Sequence, residues 1–163
     1  MLRANKVIIV SHCILNQNSV VRPLARAKGA FEVITNMITD LGFGIIQLPC
    51  PETLFLGLER PPMSKAEYAT PDYIALCNRL AIREVDYIKL LQEGKVYIAG
   101  MIGIDQSPTC SQFGEVGHFM TALNNFSELD LIPRLDVPEL YGENEEETQS
   151  FYLNMKYWLE QIK

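Results

Sequence analysis

Four apolar, β-branched residues in a row, Val7-Ile8-Ile9-Val10, run straight into the polar turn Ser11-His12-Cys13. No other stretch limits the fold so strongly. An apolar run of strand length without polar alternation belongs to a strand covered on both faces, as in parallel sheets sandwiched between helices. Two further runs behave alike. Phe43 to Leu48 is stopped by Pro49-Cys50-Pro51, whose prolines cannot continue a central ladder. Val96 to Ile104 gives way to Asp105-Gln106-Ser107-Pro108-Thr109-Cys110-Ser111.

The intervening segments have helical spacing. Phe31, Ile34, Met37, Ile38 and Leu41 recur at steps of three and four, with Gly42 where a helix takes a terminal glycine. From Asp72 to about Gln92, Tyr73, Leu76, Cys77, Leu80, Ala81, Ile88 and Leu91 share a face, opened by Pro71 and ended by Gly94. The twenty residues before it, with Pro61 and Pro62, read as an active-site-sized loop. A helix from about His118 to Leu129, a fourth strand near Leu131 to Leu135 and a closing helix complete the chain. The acidic Glu143 to Glu147 stretch suits that last helix's first turn, ahead of Phe151, Met155, Trp158, Leu159 and Ile162. Strands alternating with helices predict one α/β domain over residues 1–163: a three-layer αβα fold with about four mostly parallel strands in the order 2-1-3-4 and helices on both faces.

The chain carries 14 Lys and Arg against 20 Asp and Glu, a net charge of −6, which argues against a tightly held nucleic-acid partner. The first apolar run is far short of the roughly 7 to 15 residues of a signal core, and no segment reaches the roughly 18 of a membrane span. The expectation is a cytoplasmic protein without a membrane partner, whose cysteines stay reduced and serve metal or catalysis before disulfides.

Of four cysteines, Cys77 sits mid-helix on the apolar face and reads as a small core hydrophobe. The other three, Cys13, Cys50 and Cys110, each follow a different predicted strand. In such sheets ligands bind beyond the carboxyl ends of the strands, so the crossovers bring these three together. Three soft thiolates select zinc, copper(I) or an iron–sulfur cluster over magnesium or calcium, and their chemistry leaves those three open.

The segments Ser11-His12-Cys13-Ile14-Leu15-Asn16, Cys50-Pro51-Glu52 with Gly57-Leu58, and Ser107-Pro108-Thr109-Cys110-Ser111 resemble the motifs of the desulfidase family typified by bacterial 2-thiouracil desulfidase. That family has Cys-Leu-Leu-Gly, then Cys-Pro-Glu near Gly-Leu, then Ser-Pro-Ser-Cys-Gly, in the same order. The resemblance spans roughly residues 7 to 111, about two-thirds of the chain. It implies a [4Fe-4S] cluster held by Cys13, Cys50 and Cys110, with one iron free of protein ligands, and a small thiolated substrate of the thiouracil or thionucleobase kind. Asn16 and Ser111 stand where the family has glycines, and no Arg-Tyr-Asp-Gly follows Cys13, although Arg22 lies nearby.

Such a reaction needs a group to take a proton from water. Glu52 is placed for this two residues after a ligand cysteine, and would equally suit a carboxylate receiving turn N–H groups. Ser107 has a hydroxyl for substrate or cluster, or for its own Ser-Pro turn. Asp105 offers a second acid/base group or a loop cap. Asn16 and Gln17 supply amides suited to the edge of a pyrimidine-like ring, or to a solvated turn. His12, by strand alternation, points away from Cys13 and supports from behind, while His118 opens a helix. Two other classes fit these residues: a metal- or redox-sensing binding module without catalysis, and a thiol redox enzyme, which would lack the usual Cys-X-X-Cys spacing.

Overall fold

Four strands, β1 (Lys6–Val10), β2 (Gly44–Gln47), β3 (Tyr97–Ile104) and β4 (Arg134–Val137), form one sheet in a computed structural model that describes residues 2–163. Their spatial order is β2-β1-β3-β4 and every pairing is parallel, as the alternating pattern predicts. The interior strands are β1 and β3. In β3 the six residues from Ile98 to Gly103 are buried, as a strand sandwiched between helix layers must be.

The helices are α1 (His12–Leu15), α2 (Glu32–Asp40), α3 (Pro51–Leu56), α4 (Lys65–Tyr68), α5 (Pro71–Glu93), α6 (His118–Phe126) and α7 (Glu145–Ile162). Ile9 and Met101 point into a core shared with Tyr73, Cys77, Ala81 and Val85 of α5 and Phe119 and Leu123 of α6. Ile8, Val10 and Ile102 point the opposite way, onto Ile34 and Ile38 of α2 and Phe151, Met155 and Leu159 of α7. The fold is therefore a three-layer αβα sandwich with two cores.

One irregularity joins β1 to β3. Val7 pairs with Ile98 but Ile8 pairs with Gly100, so Ala99 is an extra residue of the bulge kind. Gly100 follows it because the Trp158 ring of α7 lies against this backbone, and a methyl here would stand 2.7 Å from two ring carbons. The bulge resets which face of β3 meets which core.

The structure corrects four expectations. The segment between Cys50 and Pro71 is not one loop: Pro51 opens α3, and a Ser64–Glu67 capping box opens α4. The helix from His118 ends at Phe126, and β4 starts at Arg134, because Leu129–Leu131 form a 3₁₀ turn and Pro133 has no N–H to extend the ladder. His12 does not alternate along a strand, since β1 stops at Val10 and His12 begins α1. Further 3₁₀ turns, Gln17–Ser19 and Arg22–Leu24, occupy the connection to α2. Among the described residues no helix is long and apolar enough to cross a membrane.

Cys77 is 1% exposed on the inner face of α5, where burial raises its thiol pKa to about 11. Cys77→Ala is expected to cost about 1–2 kcal/mol through the small void left behind. Urea unfolding should show a lower midpoint with an unchanged slope.

Candidate functional site

The ends of β1, β2 and β3 deliver the three remaining cysteines to one place. Ser11 extends β1 by one bond, its N–H donating to the Ile102 carbonyl at 3.0 Å, and Cys13 follows in the first turn of α1. Leu48 donates to Val10 at 2.9 Å, which holds the β2 end against β1, and Cys50 is the N-cap residue of α3. After β3 the chain folds back so that Ile104 N–H reaches the Cys110 carbonyl at 3.2 Å. Cys13, Cys50 and Cys110 line a single cavity of about 170 Å³, together with Glu52, Arg60 and Arg26. That volume is close to the roughly 150 Å³ that admits a benzene ring.

The Cys110 loop depends on a close backbone approach. Gly117 packs on Thr109 and Cys110 so tightly that a methyl would lie 2.6 Å from the Cys110 nitrogen and closer still to the Thr109 carbonyl. Gly117→Ala must therefore displace backbone, at an expected cost of about 1–3 kcal/mol. Thermal unfolding checks the cost, and a changed rate of Cys110 alkylation at a temperature where the variant is folded checks the displacement of Cys110.

Burial pushes the Cys13 thiol up to about 12, with the neighbouring Cys50 thiol adding to the effect. Burial likewise raises Cys110 well above the ordinary thiol value, reinforced by both Cys13 and Cys50. Burial and neighbouring cysteines thus both disfavour ionisation of Cys13 and Cys110, and a bound cation would favour their thiolates. Among the described residues no three His, Cys, Asp or Glu side chains converge as a ligand set for one metal ion. Cys13, Cys50 and Cys110 line the cavity, while the fourth cysteine lies in the α5 core. Thiolates are donors that zinc, copper(I) and iron–sulfur clusters take.

Beside the cysteines runs a buried polar chain. Glu52 Oε1 accepts from Thr109 Oγ1 at 2.6 Å, and Thr109 Oγ1 is 2.7 Å from the Tyr73 hydroxyl. A carboxylate only accepts, so Thr109 donates to Glu52 and Tyr73 donates to Thr109. Glu52 Oε2 is held by Arg60 at 3.2 Å, with side-chain exposures of 12% for Glu52 and 2% for Arg60. Arg60 also donates to Thr53 Oγ1 at 3.2 Å and to the carbonyls of Gly57 at 3.0 Å and Ser19 at 2.9 Å. Glu52 is therefore not the receiver of turn N–H groups. It is a carboxylate fixed between two loops, one from Cys50 and one from Cys110.

The other sequence candidates divide. Ser107 lines the cavity and its hydroxyl oxygen accepts from Thr109 and Cys110 N–H at 3.2 and 2.9 Å, which leaves its proton free to donate elsewhere. Asp105 also lines the cavity, with Oδ1 taken by Gln106 N–H at 2.9 Å. Gln17 is 3% exposed and its amide is committed at both ends, donating to Cys13 O at 2.8 Å and accepting from Arg26 N–H at 2.9 Å. It lines the wall but shapes the Cys13 turn. Asn16 is not among the cavity residues; its side chain caps a 3₁₀ turn by accepting from Asn18 N–H at 3.1 Å. The two histidines brace neighbouring segments: His12 Nδ1 is 3.1 Å from Leu48 O, and His118 Nε2 is 2.9 Å from Lys65 O. The departures from the desulfidase motifs are compatible with this backbone, since Asn16 has φ −148° and Ser111 is not among the residues with positive φ.

Arg60, Thr109 and Arg26 were not singled out in the sequence. Arg60 sits in an exposed-looking Glu-Arg-Pro-Pro stretch, yet it is buried, with partners that include Glu52 and Ser19 as well as the nearby Gly57 carbonyl. Thr109 does carry a signal, as the residue before a motif cysteine. Arg26 Nη1 bonds Pro138 O at 3.2 Å and closes the cavity from the side of α2.

The chain is 40% identical over 152 residues to "Uncharacterized protein MJ0003" of Methanocaldococcus jannaschii, covering 92% of this chain and 94% of that protein. It belongs to the family of this archaeal protein. A match of that span is to the whole domain and not to a motif. No family model and no solved structure matches the chain.

Proposed function

We propose that the protein is a [4Fe-4S]-dependent desulfidase that removes sulfur from a small thiolated compound of the thiouracil or thionucleobase kind. The reading is supported above all by one observation: the cysteines that end three adjacent strands line one small cavity together with a fixed carboxylate. Cys13, Cys50 and Cys110 would hold the cluster. When bound, it supplies an iron without a protein ligand, a soft Lewis acid suited to a thiocarbonyl sulfur.

The chain's own residues supply the rest. Glu52 takes a proton from the water that attacks the thiocarbonyl carbon, its oxygens aimed by Thr109 and Arg60. Ser107 donates its free hydroxyl proton toward the cavity. Asp105, which lines the same cavity, would carry the second proton of that water to the departing sulfur. The carbon–sulfur bond breaks, a carbon–oxygen bond replaces it, and sulfur leaves as hydrosulfide, so that C=S and water become C=O, hydrosulfide and the proton held by Glu52, without net oxidation. The net charge of −6 favours a small molecule over intact nucleic acid.

Anaerobic purification followed by iron and acid-labile sulfide analysis tests the cofactor, and sulfide release from 2-thiouracil and 4-thiouridine tests the reaction. Protein that cannot be reconstituted with iron and sulfide, or that takes zinc in their place, would overturn the proposal.

A further inference from the structure

Cys50 is the N-cap residue of α3, and Thr53 is the third residue of that helix, one turn further on. At this spacing a side chain reaches back over the cap. Thr53 Oγ1 lies 3.3 Å from Cys50 Sγ, within hydrogen-bond reach of sulfur, and 3.1 Å from the Ser19 carbonyl oxygen.

Arg60 decides how that hydroxyl is used. Its Nη1 donates to Thr53 Oγ1 at 3.2 Å, so the hydroxyl oxygen accepts and its single proton goes to the carbonyl or to the sulfur. The Ser19 carbonyl also accepts from Arg60 Nη2 at 2.9 Å and stays satisfied when the threonine proton leaves it. A sulfur that carries negative charge, as a metal-bound thiolate does, competes well for that proton, because a hydrogen bond to an ionised group is about twice as strong as a neutral one.

Resting on the desulfidase reading, we infer that Thr53 is a positioning residue for the cluster: its hydroxyl, oriented by Arg60, donates to the cluster-bound sulfur of Cys50. One guanidinium then serves both halves of the site. Arg60 holds Glu52 directly and reaches the Cys50 sulfur through Thr53. A hydrogen bond to a ligand sulfur stabilises the reduced, more negative cluster and so raises its reduction potential. Thr53 itself contributes no reacting atom.

The test compares wild type, Thr53→Val and Thr53→Ser, each reconstituted with iron and sulfide. Thr53→Val keeps the shape and removes the hydroxyl, and Arg60 Nη1 retains the Gly57 carbonyl at 3.0 Å, so the guanidinium is not stranded. At equal iron content, an EPR-monitored titration should find the reduced-to-oxidised ratio of Thr53→Val at a fixed potential about tenfold below wild type, equivalent to about 59 mV for one electron. Thr53→Ser, which keeps the hydroxyl, should restore the wild-type ratio. A Thr53→Val ratio equal to or above wild type overturns the inference alone, as does a Thr53→Ser that shifts as far as Thr53→Val. If Thr53→Val takes up no iron, a Thr53→Ser that loads at the wild-type potential sustains the inference, and failure of both variants to load overturns it. A wild type that takes up neither iron nor sulfide brings down the desulfidase reading and the inference together.

Discussion

Glu52→Gln is expected to lower sulfide release by about 10²–10⁴-fold, the range for removal of a general base, while the protein keeps its iron. Glutamine has the shape of glutamate and retains a carbonyl oxygen to accept from Thr109, so the 2.6 Å bond between the Cys50 and Cys110 loops survives. What it lacks is the capacity to take a proton. Its amide nitrogen would also face the Arg60 guanidinium, donor against donor, where the carboxylate now makes a 3.2 Å ion pair. The rate must therefore be measured at a temperature where circular dichroism shows the variant folded. An undiminished rate would remove Glu52 from the chemistry. Loss of iron together with activity would reassign it to holding the two cysteine loops.

Arg60→Met carries the largest expected stability loss, about 3–5 kcal/mol, because it strands a buried carboxylate that, among the described residues, is paired with no other cation. Methionine fills much of the space, so the loss reports charge and hydrogen bonding more than a void. The guanidinium ties α3, the Gly57 turn and the Ser19 carbonyl into one wall of the cavity. Against a total stability of about 5–15 kcal/mol for a domain, such a loss brings the protein close to unfolding. Arg60→Lys should recover only part of it, since an ammonium lacks the planar fork that reaches several acceptors at once. Urea titration of the three proteins decides. A loss below about 1 kcal/mol would mean that water screens the pair as it screens surface pairs.

The sheet was legible because the runs that become β1 and β3 are almost wholly apolar and the strands alternate with helices of clear periodicity. The expected order 2-1-3-4, with a fourth strand near Leu131 to Leu135, is the order observed, and Cys13, Cys50 and Cys110 line one cavity beyond the first three strands. Short-range signals were harder to weigh. The Ser64-Lys65-Ala66-Glu67 capping box was present in the sequence, but Pro61 and Pro62 nearby made the whole segment look like loop. His12 was misplaced because a hydrogen bond to β3, made by Ser11, does not show where a strand ends and a helix begins. Asn16 and Gln17, adjacent and alike in chemistry, separated completely: one caps a turn and the other is buried with both amide ends engaged. Arg60 was invisible because nothing within its own segment predicts that a carboxylate eight residues earlier and a carbonyl forty-one residues earlier would enclose it.

The central place of β1 has a consequence for how the site comes into being. Its two neighbours are β2, about forty residues downstream, and β3, about ninety residues downstream, paired as Val7 with Gly44 and Val7 with Ile98. Closing the second of these pairs is a high-contact-order event, slow beside the formation of any helix. Until it happens, Cys110 is not at the edge where Cys13 and Cys50 wait. A nascent chain emerging amino terminus first exposes Cys13 and Cys50 well before Cys110, so any ligand that needs all three cysteines, such as the proposed cluster, would meet an incomplete set at that stage. On that proposal loading is a late step that follows completion of the sheet, and a mutation that slows β1–β3 pairing should lengthen the interval in which a wrong metal can enter.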